Sequence, residues 1–410
     1  MQFNTISVIG LGYIGLPTAA VFASRKIKVI GVDVNQNAID TINRGEIHIV
    51  EPDLDMVVHA AVKEGYLKAT ATPESADAFL IAVPTPFKND NHEPDLAYIE
   101  SASKAIAPVL KKGDLVILES TSPVGATEQM AAWLSEARPD LTFPQTHGEE
   151  SDIRVAHCPE RVLPGHVIRE LVQNDRVIGG MTGKCSEAAC ALYKIFVEGE
   201  CVVTNARTAE MCKLTENSFR DVNIAFANEL SILCEEKGIN VWELIALANR
   251  HPRVNILQPG PGVGGHCIAV DPWFIVSMNP GQAKIIRTAR LVNDFKPDWV
   301  AEQIRLSSEQ AGKQRGECDV ALYGITFKPN IDDLRQSPAL EIAKKVKKMG
   351  FRQVLIVEPN VSRLPSVLEG CELTKEVLVQ ADIHVMLVDH DQFKDMDKPE
   401  GIVVDTRGVW

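Results

Sequence analysis

The sequence predicts an α/β protein in which two doubly wound parallel-sheet domains are joined by a helical domain with one long central helix. Short β-rich apolar runs alternate with helical stretches at first, disappear after about residue 205 and return after about residue 312. Strands that alternate with helices are typical of parallel sheets with helices on both faces. We therefore expect three domains, covering residues 1–205, 206–312 and 313–410.

The first domain begins with a strand, a helical pattern from Ile14 to about Ser24, and a second strand. Further strand patterns follow, with helical stretches between several of them. The expected strands cover residues 5–10, 28–34, 78–83, 115–120, 153–158 and 201–205. This alternation predicts a parallel sheet for the first domain.

The middle domain is predicted to be mostly helical because strand patterns are absent from residues 206–300. Between Arg207 and Lys237 no proline or glycine interrupts the sequence, and Gly238 follows. A continuous helix over this range is about 46 Å long at ~1.5 Å per residue. A helix of this length commonly lies between domains or at a subunit contact.

The last domain repeats the α/β pattern and carries two echoes of the first. The segment VIGVDVN at residues 29–35 matches VLIVEPN at 354–360, and ADAFLIAV at 76–83 matches ADIHVMLV at 381–388. These echoes predict a degenerate repeat of the first domain. Its expected strands cover residues 318–324, 353–359, 383–389 and 401–405.

Composition and charge exclude several classes of protein. The 410 residues carry a formal net charge of −13, which argues against a nucleic-acid partner because phosphate backbones favour Lys/Arg surfaces. No apolar run approaches the roughly 20 residues of a membrane helix, and the sequence starts without a signal-peptide pattern. The nine cysteines are scattered without a C-x-x-C pair, so we expect reduced thiols in the cytoplasm and no metal site.

Residues 8–15, VIGLGYIG, form a G-x-G-x-x-G motif that follows a strand and opens a helix. Gly10 makes the tight turn, Gly12 lets the backbone reach a pyrophosphate, and Gly15 allows the helix to pack on the sheet. The helix N-terminus then offers its N–H groups and its dipole to the phosphates. This context predicts a Rossmann-like dinucleotide site, and the repeat makes the last domain Rossmann-like as well.

An acidic residue completes the motif. Asp33 lies eighteen residues after Gly15, at the end of the next strand, where it is expected to bind the adenosine ribose hydroxyls and to oppose a 2′-phosphate. This favours NAD over NADP, and Tyr13 and Ile14 of the motif are expected to line the same cofactor. FAD is the alternative, although no further flavin pattern is present.

Two later loops are expected to complete the cofactor cleft, because ligands bind beyond the carboxyl ends of parallel strands. These are residues 84–86 and 120–125. Thr85 and Thr121 are candidates for hydrogen bonds to the nicotinamide half, and Thr127 opens the helix that follows. Each threonine is equally typical of a cap or a turn.

Lys213, Asn217 and Arg220 share one face of the long helix because they are spaced four and three residues apart. Such a stripe is normally a solvated face. After a dinucleotide domain, however, a lysine can exchange a proton with a substrate oxygen and an asparagine amide can stabilise an oxyanion. NAD-dependent 3-hydroxyacid dehydrogenases resemble this part of the chain but leave its last third unexplained.

The whole chain resembles the nucleotide-sugar 6-dehydrogenases, the family that includes UDP-glucose dehydrogenase. The residues that carry the resemblance are GLGYIG (10–15), VPTP (83–86), ESTSPVG (119–125), CPER (158–161), EMCKLTENSFRDVNIAFANEL (210–230), GGHCIAVD (264–271) and GITFKPNIDDLRQSP (324–338). Within the family, residues 250–267 are most similar to members that oxidise UDP-N-acetyl-D-mannosamine. UDP-N-acetylglucosamine and UDP-glucose are the alternative substrates.

The resemblance implies a four-electron oxidation of a C6 alcohol to a carboxylate, for a bacterial surface polysaccharide of the enterobacterial common antigen type. Cys267 is then the nucleophile that turns the intermediate aldehyde into a thiohemiacetal and a thioester. Lys213 and Asn217 hold the C6 oxygen, and Asp271 and Glu160 are candidates for proton transfer and hydrolysis. A non-catalytic sugar-nucleotide sensor would be expected to lack Cys267, Lys213 or Asn217.

The resemblance also implies the contacts of the nucleotide sugar and a homodimer with shared active sites. His251 and Arg253 match residues contributed by the second subunit, and Arg335 matches an arginine that reaches NAD. Ala269 stands where relatives usually carry proline. The expected substrate-binding residues are Arg161, Val162, Lys213, Asn217, Arg220, His251, Arg253, Gly264, Lys328 and Arg407.

Overall fold

The computed structural model describes residues 2–88, 91–163 and 165–410. The chain separates into two compact units, one ending at Thr215 and the other covering Glu216–Trp410. Each unit contains one β-sheet. The expected division into three domains at residues 205 and 312 stays a prediction.

The first unit contains an eight-stranded sheet with the order β3-β2-β1-β4-β5-β6-β7-β8. All the predicted strands of this region are present, and two more join them. The strands are β1 Thr5–Ile9, β2 Lys28–Val32, β3 Leu67–Thr70, β4 Ala78–Ile81, β5 Leu115–Leu118, β6 Arg154–His157, β7 Arg176–Gly180 and β8 Cys201–Asn205.

Strand β7 departs from the predicted all-parallel sheet because it runs antiparallel to β6, while β8 is parallel to β7. The two glycines in its sequence, RVIGG, weaken the strand pattern. Both are needed for packing. A Cβ on Gly179 would lie 2.5 Å from the Cβ of Ala209, and one on Gly180 would lie 2.3 Å from the Oγ of Ser186.

Helices cover both faces of this sheet, as a doubly wound arrangement requires. Leu115 and Ile117 of β5 belong to one core with α1, whereas Val116 and Leu118 belong to a second core with α5. Strand residues alternate between two buried faces. The helices of the unit are α1 Gly15–Ser24, α2 Gln36–Asn43, α3 Leu54–Lys63, α4 Ala97–Ile106, α5 Ala126–Ala137, α6 Pro144–His147, α7 Val167–Gln173 and α8 Gly183–Tyr193.

The long central helix is confirmed as α9, Ala206–Lys237, and the boundary between the two units falls inside it. Three further helices follow, α10 Val241–Ala248, α11 Asp271–Met278 and α12 Lys284–Gln310. The segment between α10 and α11 has no regular helix or strand.

The second unit ends in a five-stranded parallel sheet with the order β11-β10-β9-β12-β13. One face packs on α12 and on α13, Pro338–Lys347. The other face is covered by side chains that include Phe393 and Trp410. The strands are β9 Asp319–Tyr323, β10 Gln353–Val357, β11 Glu372–Thr374, β12 Ile383–Met386 and β13 Ile402–Asp405, and the short helix α14 covers Asp391–Lys394. Within the described ranges, no helix is both long and apolar enough to cross a membrane.

Candidate active site

The glycine motif forms a tight turn between β1 and α1. Gly10 has φ +91°, and a Cβ on Gly15 would lie 1.8 Å from the carbonyl oxygen of Gly10. Gly12 is exposed and has open space around its Cβ position. No side chain caps the N-terminus of α1 at Ile14, so no side chain competes with a phosphate for this end of the helix.

Asp33 lies at the carboxyl end of β2 and is half-buried. Its Oδ2 accepts the N–H of Leu11 at 2.8 Å, and its Oδ1 accepts the N–H of Asn35 at 2.8 Å. Each carboxylate oxygen can accept a second hydrogen bond, which leaves capacity for a ribose hydroxyl. Tyr13 and Ile14 are half-buried beside this turn. The turn therefore fits a dinucleotide.

Two hydroxyl groups at the next strand ends lack partners. Among the described residues, the buried oxygens Thr85 Oγ1 and Ser122 Oγ have no hydrogen-bond partner. They follow β4 and β5, and Thr121, which is half-buried, lies next to Ser122. Buried hydroxyls without partners are costly, so their position at the sheet edge fits a polar ligand such as the nicotinamide amide. Ser122 was not among the sequence candidates.

Thr127 differs from the other threonines because its hydroxyl is already used. Thr127 Oγ1 donates to Glu210 Oε1 at 2.6 Å, and the backbone N–H groups of Thr127 and Gly125 donate to the same carboxylate at 2.7 Å. Glu210 thus caps α5, and burial raises its pKa. The cofactor contact expected from Thr127 stays a prediction.

Glu160 pairs with Arg176, across the antiparallel strands. Arg176 Nη1 lies 2.9 Å from Glu160 Oε2, and both side chains are buried. Glu160 Oε1 accepts the N–H of Arg161 at 2.7 Å. Both carboxylate oxygens are therefore engaged, and the expected role of Glu160 in proton transfer stays a prediction. No sequence pattern pointed to Arg176.

A second buried carboxyl group lies beside this ion pair. Glu119 Oε1 accepts the hydroxyl of Tyr193 at 2.6 Å, while its Oε2 has no partner within the described ranges. Burial, with a smaller contribution from the charge of Glu160, raises the pKa of Glu119 to about 7 against the attraction of Arg176. Glu119 directly precedes the loop that carries Thr121.

Cys267 lies in a segment that we call the thiol loop, residues 260–271. The glycines are required here. A Cβ on Gly264 would lie 2.7 Å from the carbonyl oxygen of Gln336, and Gly265 has φ +82° with the Phe327 ring 3.0 Å from its Cβ position. The half-buried Cys267 accepts the N–H groups of Val270 and Asp271 at its carbonyl oxygen, at 3.0 and 2.8 Å. The thiol therefore sits on a fixed turn into α11.

Asn217 and Asp271 form a direct contact in the second unit. The Nδ2 of Asn217 donates to Asp271 Oδ2 at 2.5 Å, and both residues are buried. Asp271 is four residues after Cys267 at the start of α11. Lys213 is half-buried one turn before Asn217 on α9, and Arg220 is exposed. The helix that carries the predicted Lys/Asn pair thus holds the end of the thiol loop.

A cavity lies at the carboxyl edge of the second sheet, next to the N-terminus of α13. Arg407 projects into it and pairs with Asp389 through Nε and Oδ1 at 2.7 Å. A Cβ on Gly260 would lie 2.7 Å from Arg407 Nη1. The half-buried Lys328 follows Phe327, which lines the cavity. The lining residues also include Pro261, Gly262, Thr326, Pro329, Pro338, Ala339, Leu387 and Val388.

The remaining candidates have more local contacts. Arg335 is exposed and forms a salt bridge with Asp333 at 2.6 Å. His251 and Arg253 are exposed, and His251 Nδ1 accepts the backbone N–H of Arg253 at 3.3 Å. In the first unit Arg161 and Val162 are half-buried. The NAD contact of Arg335 and the shared site remain predictions.

Three models of one family match the chain. The NAD binding domain of the UDP-glucose/GDP-mannose dehydrogenase family matches residues 4–197, its central domain matches 207–295, and its UDP binding domain matches 321–410. The chain belongs to this family. The family resemblance, the fold class and the NAD cofactor predicted from the sequence are confirmed, and the last α/β region is accounted for as a UDP binding domain.

Individual relatives are similar over their full length. A Yersinia pestis protein named UDP-N-acetyl-D-mannosamine dehydrogenase is 69% identical and covers 100% of both chains. A Ralstonia nicotianae protein named NDP-N-acetyl-D-galactosaminuronic acid dehydrogenase is 66% identical over 100% of this chain and 97% of its own. The solved structure of a UDP-D-ManNAc dehydrogenase from Pyrococcus horikoshii covers 99% of this chain and 96% of its own, with a TM-score of 0.88 and 40% identity.

Proposed function

We propose that this family member oxidises the C6 alcohol of UDP-N-acetyl-D-mannosamine to UDP-N-acetyl-D-mannosaminuronate. The main support for this substrate is the 69% full-length identity to the Yersinia pestis protein named UDP-N-acetyl-D-mannosamine dehydrogenase. The chemistry is supported by the fixed thiol of Cys267 and the adjacent Asn217–Asp271 pair. NAD, when bound, accepts one hydride in each of two oxidations.

The first oxidation converts the primary alcohol to an aldehyde. Lys213 takes the proton of the C6 hydroxyl as a hydride leaves C6, and the amide of Asn217 stabilises the oxygen. The Gly10–Gly15 turn and Asp33 hold the dinucleotide, and Thr85 and Thr121 orient its nicotinamide half. The C6 carbon must lie within reach of both the nicotinamide and Cys267.

The second oxidation proceeds on the enzyme. The Cys267 thiolate attacks the aldehyde carbon and forms a C–S bond as the C=O π bond opens, and the oxygen takes back the proton held by Lys213 to give a tetrahedral thiohemiacetal. Loss of that hydroxyl's proton and of a second hydride gives a thioester. Water then adds to the thioester carbon, the C–S bond breaks, and the carboxylate and the free thiol are released.

Proton transfer in the hydrolysis step is assigned to Asp271. Its carboxylate lies on the turn that follows Cys267 and is oriented by Asn217. Glu160 is a weaker candidate because both of its carboxylate oxygens already accept strong hydrogen bonds. Over the full cycle one alcohol, two NAD⁺ and one water give one carboxylate, two NADH and three protons.

An N-acetylgalactosamine nucleotide is a second candidate substrate. The Ralstonia nicotianae relative is named for a galactosaminuronic acid and is 66% identical. Both sugars carry a 2-acetamido group, which fits the small residues Val263 and Ala269 of the thiol loop. A site built to bind that amide discriminates strongly against glucose, whose hydroxyl leaves the site's polar groups unpaired.

Comparison of kcat/KM for four UDP-sugars tests the substrate. We expect UDP-N-acetylmannosamine to be oxidised fastest, ahead of UDP-N-acetylgalactosamine and UDP-N-acetylglucosamine, with UDP-glucose at least a hundredfold slower. A preference for UDP-N-acetylgalactosamine would change the substrate assignment but leave the proposed reaction mechanism unchanged. A preference for UDP-glucose would overturn the acetamido argument.

We also propose a homodimer with shared active sites, in the cytoplasm. Apolar side chains on α9 and α12 face solvent, with Phe219 68%, Phe226 52% and Ile285 72% exposed. Exposed apolar patches of this kind mark protein interfaces. Mixing inactive Cys267→Ala and Arg253→Ala chains is expected to restore part of the activity, because mixed dimers contain one intact site. No recovery after proven subunit exchange would contradict the shared site.

A further inference from the structure

A chain of buried polar side chains connects helices α9 and α12 to the start of the thiol loop. Its members are Arg290 and Asn293 of α12 and Asp221 and Asn228 of α9, each no more than 1% exposed. The chain ends at the backbone N–H of Gly260, the first residue of the thiol loop. All of these groups belong to the second unit.

The direction of every hydrogen bond in this chain is fixed by its charged end. Asp221 Oδ1 accepts from Arg290 Nη1 at 2.6 Å and from Asn293 Nδ2 at 2.8 Å. Because a carboxylate only accepts, Asn293 must turn its Oδ1 away from Asp221. That oxygen accepts from Nδ2 of Asn228 at 2.9 Å.

Asn228 is thereby left with its acceptor facing the thiol loop. Its Oδ1 accepts the N–H of Gly260 at 2.8 Å. A reversed amide would place two donors against each other at Gly260 and two acceptors against each other at Asn293. The charged pair at the far end therefore determines that an acceptor meets the loop.

One helix thus fastens both ends of the thiol loop. Asn228 holds Gly260 at the start, and Asn217 holds Asp271 at the end. The two asparagines are eleven residues apart on α9, about 16 Å at ~1.5 Å per residue. Between the two attachments the loop contains several glycines, whose conformational freedom makes an unfastened loop mobile.

We propose that Asn228 is a positioning residue for the second oxidation, acting through the polar chain to hold the thiol loop so that Cys267 captures the aldehyde before it dissociates. The proposal rests on the thioester route given above. The first oxidation does not need the thiol, so a displaced loop affects the two oxidations unequally. A purely structural residue would reduce both in parallel.

The test measures how the aldehyde is partitioned. Asn228→Leu keeps the approximate shape and removes the acceptor, and Asn228→Ser serves the same purpose if the leucine variant folds poorly. Free aldehyde is trapped with hydroxylamine during turnover and compared with the uronate formed. Asn223→Ala is the matched control, because Asn223 is half-buried on α9 and its side chain donates to the carbonyl of Phe219 within the same helix.

The Asn228 variants are expected to release at least tenfold more aldehyde per uronate than the native enzyme. The first-turnover rate and the KM for the UDP-sugar should stay within threefold. A variant that loses activity in proportion to folded protein, without more aldehyde, would overturn the proposal.

A second measurement needs no substrate. The rate at which iodoacetamide alkylates Cys267, followed by peptide mass, is expected to change at least threefold in Asn228→Leu and to be unchanged in Asn223→Ala. An unchanged rate in both variants would overturn the positioning role. If the native enzyme makes no uronate from any UDP-sugar, the proposed function fails while alkylation still decides the position of the loop.

Discussion

An acidic residue follows the second strand of each sheet, but the two acids lie in different surroundings. Asp33 and Glu358 occupy matching places in the segments VIGVDVN and VLIVEPN, and each accepts two backbone N–H groups at 2.8–2.9 Å. Asp33 is half-buried. Glu358 is fully buried, and the Nε2 of His390 lies 3.2 Å from its Oε2.

The difference separates a proposed cofactor contact from a structural lock, the contact between Glu358 and His390. Asp33 keeps acceptor capacity for a ribose hydroxyl, whereas Glu358 uses its capacity within the protein. His390 Nδ1 in turn accepts the N–H of Asn330 at 2.9 Å, so the lock fixes the loop that carries Lys328. Burial acts to raise the pKa of Glu358, but the hydrogen bonds from His390, Ile325 and Asn360 hold it below its ordinary value. The acidic position after the second strand thus has a different role in each sheet.

Replacing Glu358 is expected to have the largest effect on folding. Glu358→Ala leaves the N–H groups of Ile325 and Asn360 and the ring of His390 without their acceptor. Each buried donor that loses its partner costs about 1–3 kcal/mol, so we expect a loss of about 3 kcal/mol or more. Thermal unfolding measures it, with Asp33→Ala as the matched control at under about 1 kcal/mol. Equal losses in both variants would contradict the comparison.

A third acid, Glu119, differs from Glu358 because its pKa is raised, whereas that of Glu358 is lowered. Burial raises its pKa to about 7, so the folded protein keeps a proton that the unfolded chain loses above its ordinary pKa near 4.5. Stability from this group is complete below that pH and is lost as the pH rises toward 7. The loss is about 1.4 kcal/mol per pH unit, or about 2 kcal/mol between pH 5.5 and 7.

Glu119→Gln should remove this pH dependence and keep the acceptor for the Tyr193 hydroxyl. The measurement is the difference in Tm between pH 5.5 and 7.5. Glu128→Gln is the control, because hydrogen bonding to Arg207 lowers the pKa of Glu128, which therefore does not titrate in this range. Parallel profiles for the native protein and Glu119→Gln would contradict the raised pKa of Glu119.

Asp33→Ala is expected to act on the cofactor. Losing the ribose contact should raise the KM for NAD about tenfold, equivalent to about 1.4 kcal/mol, and narrow the preference over NADP because the charge that opposes the 2′-phosphate is removed. Steady-state kinetics with both cofactors measure the change. The proposed difference between the two acids would be contradicted if Asp33→Ala left the preference for NAD over NADP unchanged. It would also be contradicted if Glu358→Gln changed the cofactor kinetics as much as Asp33→Ala does.

The fold was predictable because its signals are local. Alternating apolar runs and uninterrupted helix formers predicted the main strands and α9, and the glycine motif predicted the NAD binding domain that the family model matches. Strand β7 was missed because Gly179 and Gly180 serve packing contacts with Ala209 and Ser186, which no local pattern reveals. Its antiparallel direction also depends on tertiary structure.

Candidate site residues were predicted only where a motif carries them, and their roles stay predictions. Cys267, Lys213 and Asn217 came from the family resemblance and from helical spacing. Thr127 is hydrogen-bonded to Glu210, and Glu160 is hydrogen-bonded to Arg176. These partners are distant in sequence, so only the folded structure reveals them. Asn228 belongs to a motif of the long helix. Its proposed role in positioning the thiol loop, however, depends on a hydrogen bond to Asn293, 65 residues away.

The central claim is that one active site performs both oxidations through Cys267, and the ratio of NADH to uronate tests it most directly. NADH is followed by absorbance and the uronate by mass spectrometry in the same reaction with UDP-N-acetylmannosamine. The account predicts two NADH per uronate, no free aldehyde from the native enzyme, and no uronate from Cys267→Ala. One NADH per substrate with accumulating aldehyde, or normal uronate formation by Cys267→Ala, would contradict it.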